Sequence, residues 1–437
     1  MPQTIARRYL LLPHPGRPEL LLLETPAGWT LPYVTLDRHG YNMAQPLISA
    51  VREQFGVTVF LLRSVYRHAA PPRDYADRVL AVANLSPDWV PPCGARWVGC
   101  GAELPLAVPE HAPLIAAWFA EATGAAPIPP DRPGWTDPAW VGDVSAWLDS
   151  LGIRRSGPIE QVKSWTVSCL LRIPTEAGDL YFKAVPAFFP TEAGVTAALA
   201  REFPDWMPQI VAVDPDRRWL LMRAFAGVHL EEEPDLARWE EALGGYARMQ
   251  VSLVGQESRL LAAGCNDRRP AVMFAQYEQL LADDAFLLTH FSAAEVDALR
   301  SQLPGLRALA QSLAARGIPY TLEHGDLHCR NVAAEPGAIR FFDWSDACIA
   351  HPFFSVKYFL DNRDDAVREQ PGVDERLLAA YLEPWAPFAS PADLRAAVDE
   401  AARLSHVHYA LSYYWYILPL SDENWGATVA DYLRELL

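Results

Sequence analysis

An α+β fold follows from three features of the chain. The first third is dense in short strands, the back half carries the apolar rhythm of packed helices, and the composition can fill both. Half of the 437 residues are hydrophobic and 11% are aromatic, which supports packed cores rather than disorder. That length exceeds one ordinary core, so two or three domains are expected.

Residues 1–125 carry apolar runs at 9–12, 20–24, 29–31, 58–62 and 78–82, with one helical stretch at 46–55. Strands ordered around a single helix argue for an α+β sandwich. The stretch Ala126-Pro127-Ile128-Pro129-Pro130-Asp131-Arg132-Pro133 is stiff and marks a linker over 126–137. A helix over 138–151, carrying Trp140, Trp147 and Leu148, leads into a second strand-bearing part that ends near Arg223. Within it, Asp179-Leu180-Tyr181-Phe182-Lys183-Ala184-Val185 reads as a strand, and Pro190-Thr191 starts a helix reaching Ala200. Beyond 224 the chain is mainly helical, over 236–253, 271–288, 293–316, 375–381 and 391–416. The expected domains are therefore 1–125, 126–137, 138–223 and 224–437. No repeat or heptad pattern is present.

The net charge of −17 is unevenly spread. Residues 1–130 hold ten arginines, no lysine and ten acids, so the rest of the chain carries the whole excess. A field of that sign disfavours nucleic acid and favours a cationic partner. Two acidic runs, Glu231-Glu232-Glu233-Pro234-Asp235 and Asp422-Glu423, read first as solvated helix ends and second as holders of amines. Six cysteines make no Cys-x-x-Cys pair or zinc pattern, so reduced thiols in a cytoplasmic protein are expected. Leu10-Leu11-Leu12 runs straight into Pro13, which argues against a secretion signal, and the longest apolar stretch, 409–420, is too short to span a bilayer. No membrane partner is expected, and the oligomeric state stays open.

The most informative segment is His324-Gly325-Asp326-Leu327-His328-Cys329-Arg330-Asn331, followed twelve positions later by Asp343 in Phe341-Phe342-Asp343-Trp344. An isolated Asp and Asn would read as a turn bonding its own backbone. The full string has the spacing of phosphoryl transfer, in which a protein positions a hydroxyl, a γ-phosphoryl group and magnesium and neutralises developing charge. Glu335-Pro336-Gly337 is a turn signal, and 338–342 is a short apolar strand ending at Asp343. A hairpin there would bring Asn331 and Asp343 over one metal, and their hard oxygens suit Mg²⁺.

Such a site also needs a cation for the phosphates. Of 37 basic residues only Lys163, Lys183 and Lys357 are lysines. Lys183 ends an apolar strand, where a compact ammonium serves phosphates better than it serves a solvated face. Glu192, in the first turn of the next helix, either complements the helix dipole or holds Lys183. His328, Asp346 and Arg330 are secondary candidates around the loop.

Residues from about 155 to 437 resemble the aminoglycoside phosphotransferase and choline kinase group. The resemblance implies a protein-kinase-like two-lobed fold with a small mixed lobe and a large helical lobe. That group's His-Gly-Asp-x-x-x-x-Asn loop stands here as His324 to Asn331, its metal segment as Phe342-Asp343-Trp344, and the segment after it as His351-Pro352-Phe353-Phe354. The implied roles are Asp326 as catalytic base, Asn331 and Asp343 as magnesium ligands, Lys183 as phosphate lysine and Glu192 as its helix partner. Leu220-Leu221-Met222-Arg223-Ala224-Phe225-Ala226-Gly227 resembles the hinge, which places Met222 at the adenine. The segment expected to cover the phosphates, Gln161 to Ser168, contains no glycine. Backbone amides and the hydroxyls of Ser164, Thr166 and Ser168 are its expected substitutes.

The first domain is similar to a Nudix hydrolase domain: Trp29-Thr30-Leu31-Pro32 resembles the strand entering the Nudix box, and Ala50-Val51-Arg52-Glu53-Gln54-Phe55-Gly56-Val57 its helix and closing glycine. Tyr33-Val34 stands for Gly-Gly, Ser49-Ala50 for Arg-Glu and Gln54 for the second Glu. Only Glu53 remains as a ligand, too few for the hydrolase chemistry. An unrelated α+β domain is the alternative there. The expected function is a cytoplasmic small-molecule kinase that uses ATP and Mg²⁺ to phosphorylate a hydroxyl of a small acceptor, with negative charge favouring a cationic one. The rival is a catalytically inactive nucleotide-binding regulatory protein.

Overall fold

The computed structural model describes residues 6–36, 43–67, 77–186, 191–361, 366–420 and 425–437. The acidic pair Asp422-Glu423 and the helix-start residue Pro190 lie outside them. The chain forms two compact units, Met1–Ala187 and Phe188–Leu437. The α+β expectation holds: strands dominate the first unit and helices the second.

In the first unit, β1 (Ala6–Leu11), β2 (Glu19–Thr25), β3 (Gly28–Thr30) and β4 (Tyr33–Leu36) precede α1 (Ala44–Phe55). After it come β5 (Val59–Arg67), β6 (Arg78–Asn84) and β7 (Ala95–Gly99). One sheet has the order β4-β1-β6-β5, with β1 parallel to β6; the other is β3-β2-β7. α1 buries Ala44, Leu47 and Val51 against Leu10, Val34, Leu61 and Val82, the apolar stripe that its spacing predicts. Gly56 ends the helix in the left-handed region that glycine adopts freely, at φ 70°.

α2 (Ala112–Ala122) and α3 (Trp140–Ser150) flank the proline-rich stretch, which is exposed from Pro127 to Asp131 and is held at its far end. Arg132 places two guanidinium nitrogens on the Glu121 carboxylate at 2.7 and 2.8 Å, and Arg63 donates to the same group. Trp135 is buried and its indole N–H donates to the Trp165 carbonyl at 3.2 Å. β8 (Glu160–Trp165), β9 (Ser168–Ile173) and β10 (Leu180–Ala184) then form an antiparallel meander.

The second unit opens with α4 (Thr191–Glu202), the hairpin β11 (Ile210–Asp214) and β12 (Trp219–Arg223), and the short β13 (Val228–His229). Helices α5 (Leu236–Ser252) and α6 (Glu257–Ala262), the bridge strand β14 (Asn266–Asp267), and α7 (Pro270–Leu281), α8 (Asp284–His290) and α9 (Ala293–Ala315) follow. Next come β15 (Thr321–Glu323), β16 (Val332–Glu335), β17 (Ala338–Phe341) and β18 (Cys348–Ala350). The unit closes with α10 (Phe354–Asp361), α11 (Val373–Leu382), α12 (Pro391–Ser412) and α13 (Gly426–Arg434). Its core is aromatic at the centre, with Trp239, Tyr246, Tyr277, Phe341, Trp344, Phe353, Tyr381 and Trp385 all buried.

Two expected helices differ in extent. The stretch 271–288 is two helices, because the Asp283 carboxylate accepts the Phe286 N–H at 3.0 Å and caps a fresh start. The stretch 391–416 leaves α-geometry at Ser412 and passes into a π-helical turn, Tyr413–Ile417. No described helix is long and apolar enough to cross a membrane, and none of the six cysteines forms a disulfide.

Candidate active site

The loop after β15 is built around one glycine. Gly325 has φ +80°, and a Cβ there would stand 2.2 Å from the Asp346 carbonyl oxygen, so only glycine fits. That close approach sets the loop against the segment after Asp343. His324 is fully buried, and burial lowers its imidazole to about 4, so the ring is neutral. Its Nε2–H donates to the Phe342 carbonyl at 3.1 Å, while Nδ1 faces the Asp326 N–H at 3.4 Å. The ring packs on Trp344 with centroids 4.5 Å apart. One histidine therefore ties the Asp326 loop to the segment that carries Asp343.

Asp326 itself remains open, with 44% of its side chain exposed. Asn331 is buried, and its side-chain N–H₂ donates to the Asp326 carbonyl at 2.9 Å and reaches the Asp326 carboxylate at 3.4 Å. With the nitrogen so engaged, the amide oxygen is the atom left for a metal. β16 and β17 close the expected hairpin: Val332 pairs with Phe341, and the Phe342 N–H donates to the Asn331 carbonyl at 3.1 Å. Asn331 and Asp343 thus leave the same end of one hairpin. Asp343 is held at φ 64°, ψ 58°, a conformation costly for a non-glycine residue, and Ser345 donates to its carboxylate at 2.9 Å. An amide oxygen and a carboxylate fit Mg²⁺, which takes one or two protein oxygens and completes its shell with phosphate and water. Among the described residues no group of three or more His, Cys, Asp or Glu gathers as a metal cluster.

Of the secondary candidates, His328 points Nε2 at the Asp326 carboxylate from 3.6 Å and accepts the Arg330 N–H on Nδ1 at 3.2 Å. Arg330 is exposed and stands 3.9 Å from Glu231. Asp346 takes a long bond of 3.4 Å from Ser345.

Lys183 lies on β10 opposite Leu170 and is 9% exposed. Glu192 is buried in the first turn of α4. Met222 is buried on β12 opposite Ile210. Ser164 is turned into the first unit: it is buried, and its hydroxyl donates to the Leu61 carbonyl at 3.1 Å. Its neighbour Gln161 does more, accepting the Leu61 N–H at 2.7 Å and donating to the Leu61 carbonyl at 2.8 Å.

Sequence reasoning missed two sets of residues. The first is Glu323, fully buried beside the loop, which an acid closing an apolar strand could have flagged. The second is a run of aromatics on α10, α12, the π-helical turn and α13. Tyr358 and Tyr409 have ring centroids 4.9 Å apart, Tyr409 and Tyr432 5.3 Å, and Tyr413 and Tyr432 5.8 Å. Burial raises the phenols of Tyr358, Tyr409 and Tyr432, and the Asp326 charge adds to each. These tyrosines therefore feel the open carboxylate.

A family model described as "Phosphotransferase enzyme family" matches residues 171–403. Among solved structures, a choline/ethanolamine kinase family protein from Mesorhizobium loti is 20% identical, covering 68% of this chain and 94% of its own, with a TM-score of 0.45. Choline kinase LicA from Streptococcus pneumoniae is 12% identical, covering 68% and 98%, with a TM-score of 0.49. Macrolide 2′-phosphotransferase MphH from Brachybacterium faecium is 16% identical, covering 67% and 97%, with a TM-score of 0.45. No curated protein matches the chain.

Proposed function

Because the chain belongs to the phosphotransferase enzyme family, we propose that it is a small-molecule kinase moving the γ-phosphoryl group of ATP to a hydroxyl of a small acceptor. The observation that carries this is the coupling of Asp326, Asn331 and Asp343 through one loop and one hairpin. Asp326, open to solvent, accepts the hydroxyl proton as the phosphoryl group moves; such help is typically worth about a hundred- to ten-thousand-fold. Asn331 keeps that loop in place through its amide nitrogen and offers its oxygen, with the Asp343 carboxylate, to magnesium. Magnesium, when bound, neutralises charge on the phosphates. Lys183 and Glu192 take the phosphate contact and its balancing acid, and Met222 the adenine, as the resemblance implies.

The acceptor is a small alcohol that carries a cationic amine. The uneven negative charge supports this, and so do the tyrosines that feel Asp326, since aromatic faces attract cations. Residues 1–125 form a Nudix-like domain without hydrolase chemistry: Glu53 is the one acid on α1, and it is exposed. Residues 126–137 link it to a kinase small lobe, 138–223, and a helical lobe, 224–437. The working compartment is the cytoplasm.

Labelled ATP and Mg²⁺ supplied to the protein in a cell metabolite extract, beside an Asp326→Ala control, test the proposal. Label entering a small molecule only with the unaltered protein is the expected result. ATP binding without transfer in any extract would instead support a nucleotide-binding regulatory protein.

A further inference from the structure

Beneath the Asp326 loop, the side chain of Glu323 is bonded by that loop and by two helices, α10 and α5, with α11 and α12 behind them. The Ser355 hydroxyl on α10 donates to Oε1, and the Gly325 N–H reaches the same oxygen at 3.4 Å. Gln250 on α5 donates to Oε2 at 3.3 Å and to the Leu322 carbonyl at 2.9 Å. Tyr381 on α11 fixes Gln250 by donating to its amide oxygen at 2.7 Å, and the Tyr409 hydroxyl on α12 faces Ser355 at 3.3 Å. Tyr246 on α5 accepts the His324 N–H at 2.9 Å and adds its own hydroxyl to the ring of donors. Glu323 makes no ion pair among the described residues. A buried carboxyl without a counter-ion normally shows a cost. Here that cost is placed under the loop that turns at Gly325, φ +80°.

We propose that Glu323 is the positioning residue that holds the Asp326 loop, and that loss of its proton releases the hold. This rests on the kinase reading above, because the loop it holds carries the proton acceptor of that reaction. Burial raises the Glu323 carboxyl to about 8, against the donors that pull it down, Ser355 foremost and then Gly325 and Tyr246. The titratable groups facing it are the phenols of Tyr246, Tyr381 and Tyr409 and the Cys348 thiol, all raised and so neutral at this pH. His324 at the turn and His408, which faces Gly325, are neutral as well, lowered by burial to about 4 and about 3. The buried Arg268 acts on Cys348 and His408, and no ion pair joins it to Glu323 among the described residues. Ionisation of Glu323 therefore puts an uncompensated charge between the strand and helices that meet at the loop.

The experiment compares the unaltered protein with Glu323→Gln and Ser355→Ala. Glutamine keeps the shape and cannot ionise; alanine removes the foremost donor that favours the ionised form. In the unaltered protein kcat should fall about tenfold per pH unit above about 8, as for loss of one essential proton, with KM for ATP unchanged. Glu323→Gln should abolish that alkaline fall, and Ser355→Ala should move it to higher pH. An identical alkaline fall in all three proteins would overturn the proposal. Thermal unfolding supplies the arm that needs no activity. The folded carboxyl stays protonated up to about pH 8 while the unfolded one ionises near 4.5, so folding takes up a proton between them and stability is lost as pH rises through that window. The melting temperature of Glu323→Gln should thus gain on the unaltered protein from pH 5 to 8, and a constant difference would overturn the proposal. If no protein transfers phosphate yet the melting temperatures diverge, the kinase reading fails while the Glu323 assignment stands.

Discussion

Asp343 sits in the left-handed region at φ 64°, where Asp and Asn are the non-glycine residues that settle most readily. That preference makes Asp343→Asn a clean substitution, since it keeps the backbone and the hydrogen-bonding shape while removing one negative charge. Magnesium-dependent turnover should fall by about a hundredfold or more, the scale of losing one preorganised electrostatic contact. The melting temperature should stay within about 2 °C, because the charge is not part of an apolar core. Turnover and thermal unfolding measured on one preparation check both halves. Activity within tenfold of the unaltered protein would remove Asp343 from the metal site.

Gln161 shows how one side chain can act as a strand. Its amide gives and receives with the Leu61 backbone, at 2.8 and 2.7 Å, where β5 has a register irregularity and its own ladder is interrupted. Gln161→Ala leaves the Leu61 N–H and part of its carbonyl capacity buried and unsatisfied, at a cost of about 2–4 kcal/mol. The urea midpoint should drop accordingly, while Ser164→Ala, which removes one donor to a carbonyl that keeps another, should cost about 1 kcal/mol. A Gln161→Ala midpoint unchanged from the starting protein would show that this clamp contributes nothing. Elements of this kind explain what the sequence revealed and what it hid. The loop from His324 to Asn331 and the turn to Asp343 were legible because a turn signal, Glu335-Pro336-Gly337, and a short apolar strand stand between Asn331 and Asp343, and the long helices because their apolar period repeats several times. β13 and β14, two residues each, have no period to read, and they exist only through partners on β16 and β18. Glu323 was visible as an acid closing an apolar strand, but its partners were hidden for the same reason. Its burial is decided by Gln250 and Ser355, 73 and 32 residues away, and no local pattern announces such partners.

At the scale of the whole molecule, the charge distribution bears on the acceptor more than on the fold. The excess of −17 resides entirely beyond residue 130, in the part that holds the Asp326 loop. Among the described residues few lysines are there to offset it, and arginines such as Arg316, Arg376 and Arg395 are spent on ion pairs with neighbouring acids. A net negative field raises the local concentration of a cationic acceptor, and mobile ions weaken it as the Debye length shrinks from roughly 30 Å at 0.01 M salt to about 8 Å at 0.15 M. Once an acceptor is in hand, its KM should therefore rise severalfold over that range if it carries a positive amine, with kcat little changed because Asp326 and the hairpin act at short range. A neutral alcohol accepted by the same site should show a flat KM. Steady-state kinetics on a matched pair, the amine and its uncharged analogue, separates the cases, and a flat response for both would remove long-range charge from the account of acceptor choice.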